Sequence, residues 1–332
     1  MVLKEKNWLA EILIAQINDY KPDIVFLDDH TLLSINELKQ LKKDCKSIRL
    51  VISWCGAPFT RSVFFSEHDL VLSCIPEIVD QLRNLGGKSE HLHHAFSPRI
   101  LDNLEPTAEP PIKFSFIGQI ARGNHQHLRR GNLLKRLVSN NIPLEIYTPS
   151  YEWSVREKMK SYLKHHIGSA YPILKLLKRE KGNSASNSFI NKCNLWNEQL
   201  GPSAYAELLP HMQQPVFGLE MFKILKRSQI SLNCHIDASK NSASNMRLFE
   251  ATGMGSCLLT DSKSNLSQLF EPDYEVATYR SPEECIEKAN WLMNNPEKRI
   301  EIAKAGQKRT LQDHTFEKRA IEFINTIQPY LK

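Results

Sequence analysis

The strongest constraint on this chain is a repeated alternation. Short apolar runs ending in turn residues are separated by helical patterns of about ten residues. The runs are Asp23-Ile-Val-Phe-Leu27, Ile48-Arg-Leu-Val-Ile-Ser53, Leu70-Val-Leu-Ser73, Phe114-Ser-Phe-Ile117, Leu144-Glu-Ile-Tyr147, Gln229-Ile-Ser-Leu-Asn233 and Cys257-Leu-Leu-Thr260. Strands this apolar lie between two helical layers, so the order predicts an α/β fold of βαβ units with parallel sheets. Helices are expected from Trp8 to Asn18, Ile35 to Asp44, Pro76 to Leu85 and Met246 to Met254. Ser281-Pro282-Glu283-Glu284 reads as a helix start, with a serine cap, a first-turn proline and then acids. A break is expected at Asn294-Asn295-Pro296.

The chain has 332 residues, more than one core usually organises. Leu104-Glu-Pro-Thr-Ala-Glu-Pro-Pro111 is proline-rich and reads as an extended linker. The expected division is therefore 1–107 and 108–315, with a terminal helix over 316–332 returning to the first domain. The first strand is preceded only by a helix, not by a strand and a glycine-rich turn. Either the sequence begins inside that domain or the N-terminal domain is abbreviated.

A hydrophobic fraction of 41% and a charged fraction of 24% are ordinary for a soluble globular chain. No apolar run reaches the ~18 residues of a membrane span. The charged start from Met1 to Lys6 is unlike a signal peptide. The cysteines number 7, an odd count, and no CxxC occurs, which fits a reducing compartment and excludes a zinc ribbon or disulfide framework. The expected location is cytoplasmic.

The net charge of +6 is unevenly spread. Arg156, Lys158, Lys160, Lys164, Lys175, Lys178, Arg179 and Lys181 cluster against only Glu157 and Glu180. This stretch reads as part of an inserted segment, 152–200, with an amphipathic helical pair over 152–181. Such helices can sit on an anionic membrane, here its inner face. A surface helix packed on its own domain is the more ordinary reading of the pattern. No basic stripe with interleaved aromatics points to nucleic acid.

The densest chemical signal runs from Gln229 to Asp261 and reads as strand, loop, helix and strand. Ser244 or Asn245 would cap the helix, whose unpaired amides suit a phosphate at the carboxyl edge of a parallel sheet. Arg247 can fork onto the phosphate, and Glu250, one turn on, can hold a ribose hydroxyl pair. Gly253 and Gly255 would let the next strand approach closely. No GxGxxG follows the first strand, which argues against a nicotinamide dehydrogenase.

The sequence resembles CgeB-like glycosyltransferases of the spore maturation protein type, a branch near the family 4 retaining enzymes. The matching words are Phe217-Gly218-Leu219-Glu220-Met221, Leu232-Asn233-Cys234-His235-Ile236-Asp237, Asn245 to Thr252, and Gly306-Gln307-Lys308-Arg309-Thr310. The resemblance spans roughly residues 7–320 and is strongest from Val216. It implies a GT-B fold, two Rossmann-like domains facing across a cleft, with a metal-independent hexosyl transfer and no cofactor. It further implies a UDP- or GDP-type nucleotide-sugar donor and a glycan or lipid-linked acceptor, in surface polysaccharide or glycoconjugate synthesis. The implied donor-binding residues are Gly118, Gln119, Arg122, Phe217, Gly218, His235, Ser244, Asn245, Met246, Arg247 and Glu250. Arg130 is a further phosphate-side candidate. Family 4 enzymes carry two glutamates eight positions apart. The second matches Glu250, whereas the first falls at Ser242, so a noncatalytic nucleotide-sugar-binding subunit is the alternative reading.

No catalytic base is evident; Asp28 and His94 are weak acceptor-side candidates, with Ser97 beside the latter. His91, His93 and His94 lack the further ligands zinc would need. Cys55 has no activating base in sequence reach.

Overall fold

The structure is a computed structural model that describes residues 8–59, 65–105, 108–120, 128–149, 155–171, 192–193, 196 and 206–331. The chain divides into two compact units, Met1–Ala95 with Thr315–Lys332, and Phe96–His314.

The first unit holds a parallel sheet in the order β1 (Ile24–Leu27), β2 (Leu50–Trp54), β3 (Leu70–Ser73), β4 (Ser89–His91). Helix α1 (Trp8–Tyr20) leads into β1, α2 (Ile35–Asp44) joins β1 to β2, and α3 (Pro76–Asn84) joins β3 to β4. Ser34 starts α2 through a capping box: its hydroxyl accepts from the Glu37 amide, and the Glu37 carboxylate accepts from the Ser34 amide. Leu38 and Leu41 of α2 pack with Val25, Leu27 and Val51 on one face of the sheet.

The second unit opens with α4 (Arg99–Asp102) and continues through β5 (Ile112–Ile117), α5 (Leu128–Ser139), β6 (Leu144–Tyr147), α6 (Val155–Ser169) and β7 (Met212–Gln213). Then come α7 (Gly218–Arg227), β8 (Ser228–Asn233), α8 (Arg247–Gly253), β9 (Cys257–Asp261), α9 (Leu266–Leu269), β10 (Ala277–Tyr279), α10 (Pro282–Asn294) and α11 (Pro296–Asp313). All described strand pairs are parallel, in the order β10-β9-β8-β5-β6-β7. Counted from β5, this is the doubly wound dinucleotide-fold order. One face packs on α5 and α10 through Leu133, Leu134, Leu137, Ala289 and Leu292. The other packs on α7 and α8 through Leu225, Leu248 and Phe249.

The division falls at Ala95/Phe96, ahead of the proline-rich segment expected to mark it. Phe96 and Leu104 are buried in the second unit's core, so apolar packing and not proline content sets the boundary. A Cβ on Gly253 would lie 2.5 Å from the Phe96 ring, so that glycine makes room for a side chain and not, as expected, for a strand. Gly255 has φ +77° and turns the chain out of α8, where the left-handed region favours glycine. The last helix, α12 (Phe316–Ile327), is grouped with the first unit. Phe323 meets Phe26 there edge-on, with ring centroids 5.8 Å apart.

Candidate functional site

In the second unit, β5 and β8 lie side by side, and their onward connections run in opposite directions. That is the topological switch point of a doubly wound sheet, where a crevice opens beyond the carboxyl ends. Here β5 ends at Ile117-Gly118-Gln119 and β8 at Asn233-Cys234-His235. Arg130 of α5 ties the two ends together: its Nε donates to the Cys234 carbonyl at 2.8 Å, and one terminal nitrogen reaches the Gln119 carbonyl at 3.4 Å. Burial lowers its pKa, and the neighbouring Asp261 and Asp237 oppose that shift.

Arg247 closes the other side. Its guanidinium bonds Glu250 at 2.8 Å, the Met221 sulfur at 3.3 Å and the Ile117 carbonyl at 3.3 Å. One side chain therefore joins α8, α7 and the end of β5. Burial lowers its pKa, and the Glu250 charge opposes that shift. The Arg247 Nε is buried without a partner, as are Asn245 Oδ1 and His235 Nε2. Three such atoms fall between 235 and 247, where buried polar groups would normally be paired.

The expected capping is different. Met246 is the N-cap of α8, in helical backbone, and no side chain caps the helix. Ser244 is buried with its hydroxyl 2.7 Å from that of Ser239. Asn245 donates instead to Asn233 Oδ1 at 2.6 Å, and Asn233 donates to the Thr260 hydroxyl. Short polar side chains next to a strand end find partners in the sheet before they reach the helix amides. The Met246 side chain is exposed.

His235 is fully enclosed. Its amide and Nδ1 both contact Asp261 Oδ1, at 3.0 and 2.6 Å, and Lys263 lies 3.1 Å from the other carboxylate oxygen. Burial pushes the Asp261 carboxyl upward, but His235 and Lys263 outweigh it and hold the pKa below the usual carboxylate range.

Gly118 is half-buried and Gln119 exposed at the β5 end; a Cβ on Gly118 would stand 3.1 Å from the Phe116 ring. Arg122 lies outside the described residues. Phe217 is the N-cap of α7, with its ring 70% exposed, and Gly218 follows in left-handed backbone at φ +54°. Glu220 pairs with Lys223 on the surface, at 2.6 Å. Ser242 is buried. Ser97 is half-buried in the second unit.

In the first unit, Asp28 is exposed at the end of β1. His94 lies 5.1 Å from the Trp54 ring, and its carbonyl accepts from Arg319. Burial, with Arg319 assisting, lowers its pKa to about 4, so the ring is neutral at pH 7. His91 bonds the Cys74 carbonyl and stacks edge-on with His93. Burial raises the Cys55 thiol to about 11. Among the described residues, no group of three or more His, Cys, Asp or Glu is placed to hold a metal ion.

Of the inserted segment, α6 is described, and Met159, Tyr162 and Leu163 are exposed on it. The remainder of the expected helical pair, over 172–181, lies outside the described residues. Among the described residues, no helix is long and apolar enough to cross a membrane.

Sequence reasoning missed the inward-turned partners Asn233, Asp261, Lys263 and Asn265. The only cue to the last three was a polar D-S-K-S-N run directly after an apolar strand.

Comparison with known proteins finds the same arrangement elsewhere. Residues 173–325, a little under half of the chain, match the family model described as glycosyl transferase-like. The whole chain is similar in fold to a glycosyltransferase from Rickettsia africae, with TM-score 0.59 and 11% identity, covering 100% of this chain and 84% of that one. It is similar to Anabaena HepE, solved with UDP and glucose, with TM-score 0.59 and 9% identity, covering 96% and 81%. Sucrose-phosphate synthase from Thermosynechococcus elongatus gives TM-score 0.55 and 11% identity, covering 99% and 80%. No curated protein sequence matches. The fold is thus α/β with parallel sheets, of the kind found in GT-B glycosyltransferases.

Proposed function

We propose that the protein is a glycosyltransferase that takes a sugar from a nucleotide-diphosphate donor, of UDP or GDP type, and passes it to a glycan or lipid-linked acceptor. The observation that carries this reading is the convergence of Arg247, Glu250 and the β5 end at the switch point of the second sheet. Arg247 would fork onto the diphosphate and support the charge that grows on the leaving group. Glu250 would hold the ribose hydroxyls. The transfer assigns the cationic role to arginine and calls on no resident metal. HepE, solved with UDP and glucose and with UDP-glucose, makes UDP the first nucleotide to test.

The acceptor-side candidates are His94, whose lowered pKa keeps the ring neutral and makes it a poor proton acceptor, and Asp28, an exposed carboxylate at the end of β1. The exposed Met159, Tyr162 and Leu163 of α6, in a stretch whose sequence is rich in lysine and arginine, support peripheral contact with an anionic lipid surface, which suits a lipid-linked acceptor. Surface polysaccharide or glycoconjugate synthesis is the setting this favours, at the cytoplasmic face.

A thermal-shift panel of UDP, GDP, CMP, dTDP and their sugars tests the reading, followed by assay of nucleotide release. Stabilisation by one nucleotide with turnover of its sugar supports a transferase. Binding without turnover favours the noncatalytic alternative, for which Ser242 in place of an acid is the specific observation. Stabilisation by none overturns both.

A further inference from the structure

The connection from β8 to α8, residues 234–246, carries two of the three unpartnered buried atoms and leads into Arg247, which carries the third. Such a loop at the edge of a sheet is ordinarily mobile. Here four residues of the segment Asp261 to Asn265 grip it along its length. Asp261 takes the amide and Nδ1 of His235, at 3.0 and 2.6 Å. Lys263, ion-paired to Asp261, donates to the carbonyls of Ser239 and Lys240 at 2.7 and 3.1 Å. Ser264 donates through both amide and hydroxyl to the Asn241 carbonyl, each at 2.8 Å. Asn265 brackets Ala243, accepting from its amide at 2.6 Å and donating to its carbonyl at 3.2 Å.

The contacts fall at 235, 239, 240, 241 and 243, so no stretch longer than three residues is left unheld between His235 and Ala243. Four of the groups satisfied are backbone carbonyls, which is a function of position and not of the side chains of the held loop. The Lys263 side chain is 6% exposed, an unusual depth for a lysine that serves only solubility. A loop fixed in this way does not have to be ordered when a ligand arrives, and that ordering would otherwise subtract from affinity.

We infer that Asp261, Lys263 and Asn265 are positioning residues for the candidate site: they hold the β8–α8 loop in one conformation and so fix the start of α8, where Arg247 stands. This rests on the nucleotide-sugar reading for the identity of the ligand, but the holding itself does not.

The test uses the full chain and two readouts. Hydrogen exchange of the peptide covering 234–250 is followed in wild type, Asn265→Ala and Lys263→Met, with Lys263→Arg as the conservative variant. UDP affinity is measured by calorimetry on the same proteins, well below their melting temperatures. Ile302→Ala, in α11, serves as a control that lowers stability away from the loop. The expected result is faster exchange confined to 234–250, and about ten-fold weaker UDP binding in Asn265→Ala and Lys263→Met. Lys263→Arg should recover most of the affinity, and Ile302→Ala should lower the melting temperature without changing affinity. Unchanged exchange over 234–250 overturns the inference. So does an affinity loss in Ile302→Ala matching that of the loop variants. If wild type binds none of the nucleotides, the functional reading falls, while the exchange data still decide the holding.

Discussion

Arg247 and Glu250 stand one turn apart on α8 and meet at 2.8 Å, with only 15% and 13% of their side chains exposed. Each charge is tolerated at that depth because the other is present. Removing one leaves the other nearly buried and unpaired, which costs about 1–3 kcal/mol. Glu250→Ala should therefore lower the urea midpoint, and Arg247→Met/Glu250→Gln should recover part of the loss. Single and double changes that simply add would show that the two side chains are not coupled.

Gly253 faces the Phe96 ring with no room for a methyl group, since its Cβ would lie 2.5 Å from Cγ. Gly253→Ala should cost about 1–3 kcal/mol by overpacking. Combining it with Phe96→Leu should cost less than the sum of the two. A melting temperature for Gly253→Ala equal to that of wild type would contradict this packing.

His94 gives stability a pH dependence of defined sign. Burial, with Arg319 assisting, lowers its pKa from 6.5 to about 4. The unfolded chain therefore binds a proton between those values that the folded chain refuses. The contribution of the neutral ring is full above pH 6.5 and is lost as the pH falls toward 4, by about 2 kcal/mol after allowance for partial exposure. Urea midpoints measured from pH 7 to pH 5 should fall less steeply in His94→Gln than in wild type. Parallel curves would contradict the assignment.

The cysteines are free, and all 7 are buried. Burial raises the Cys74, Cys234 and Cys257 thiols to about 12. The native protein should react slowly with a disulfide reagent at pH 8 and release a full complement of thiols only in denaturant. Rapid reaction of one thiol in the native state would locate an opening that this packing lacks.

The sheets were legible where strands are apolar on both faces. Leu70–Ser73 and Leu144–Tyr147 have the ends that the sequence predicts. The runs at Phe114 and Gln229 are extended by two residues and one, through Ile112 and Ser228. The short strands Met212–Gln213 and Ala277–Tyr279 carry too few apolar residues to show a period, and tertiary pairing alone makes them strands. In the site, Arg247 and Glu250 could be read because they lie one turn apart on a helix. The roles of Ser244 and Asn245 could not. A serine or asparagine before a helix is an ordinary cap signal, and here Ser239 and Asn233, brought in by the fold, take those side chains instead. The Asp261–Asn265 contacts are likewise long in sequence and invisible to local pattern.

The central claim is that a nucleotide diphosphate sits where α8 meets the ends of β5 and β8. The most direct measurement is a crystal structure of the protein soaked with UDP. The account predicts diphosphate oxygens within hydrogen-bond distance of Arg247 and the ribose hydroxyls on Glu250. A nucleotide bound elsewhere, with Arg247 still occupied by Ile117, Met221 and Glu250 alone, would contradict it.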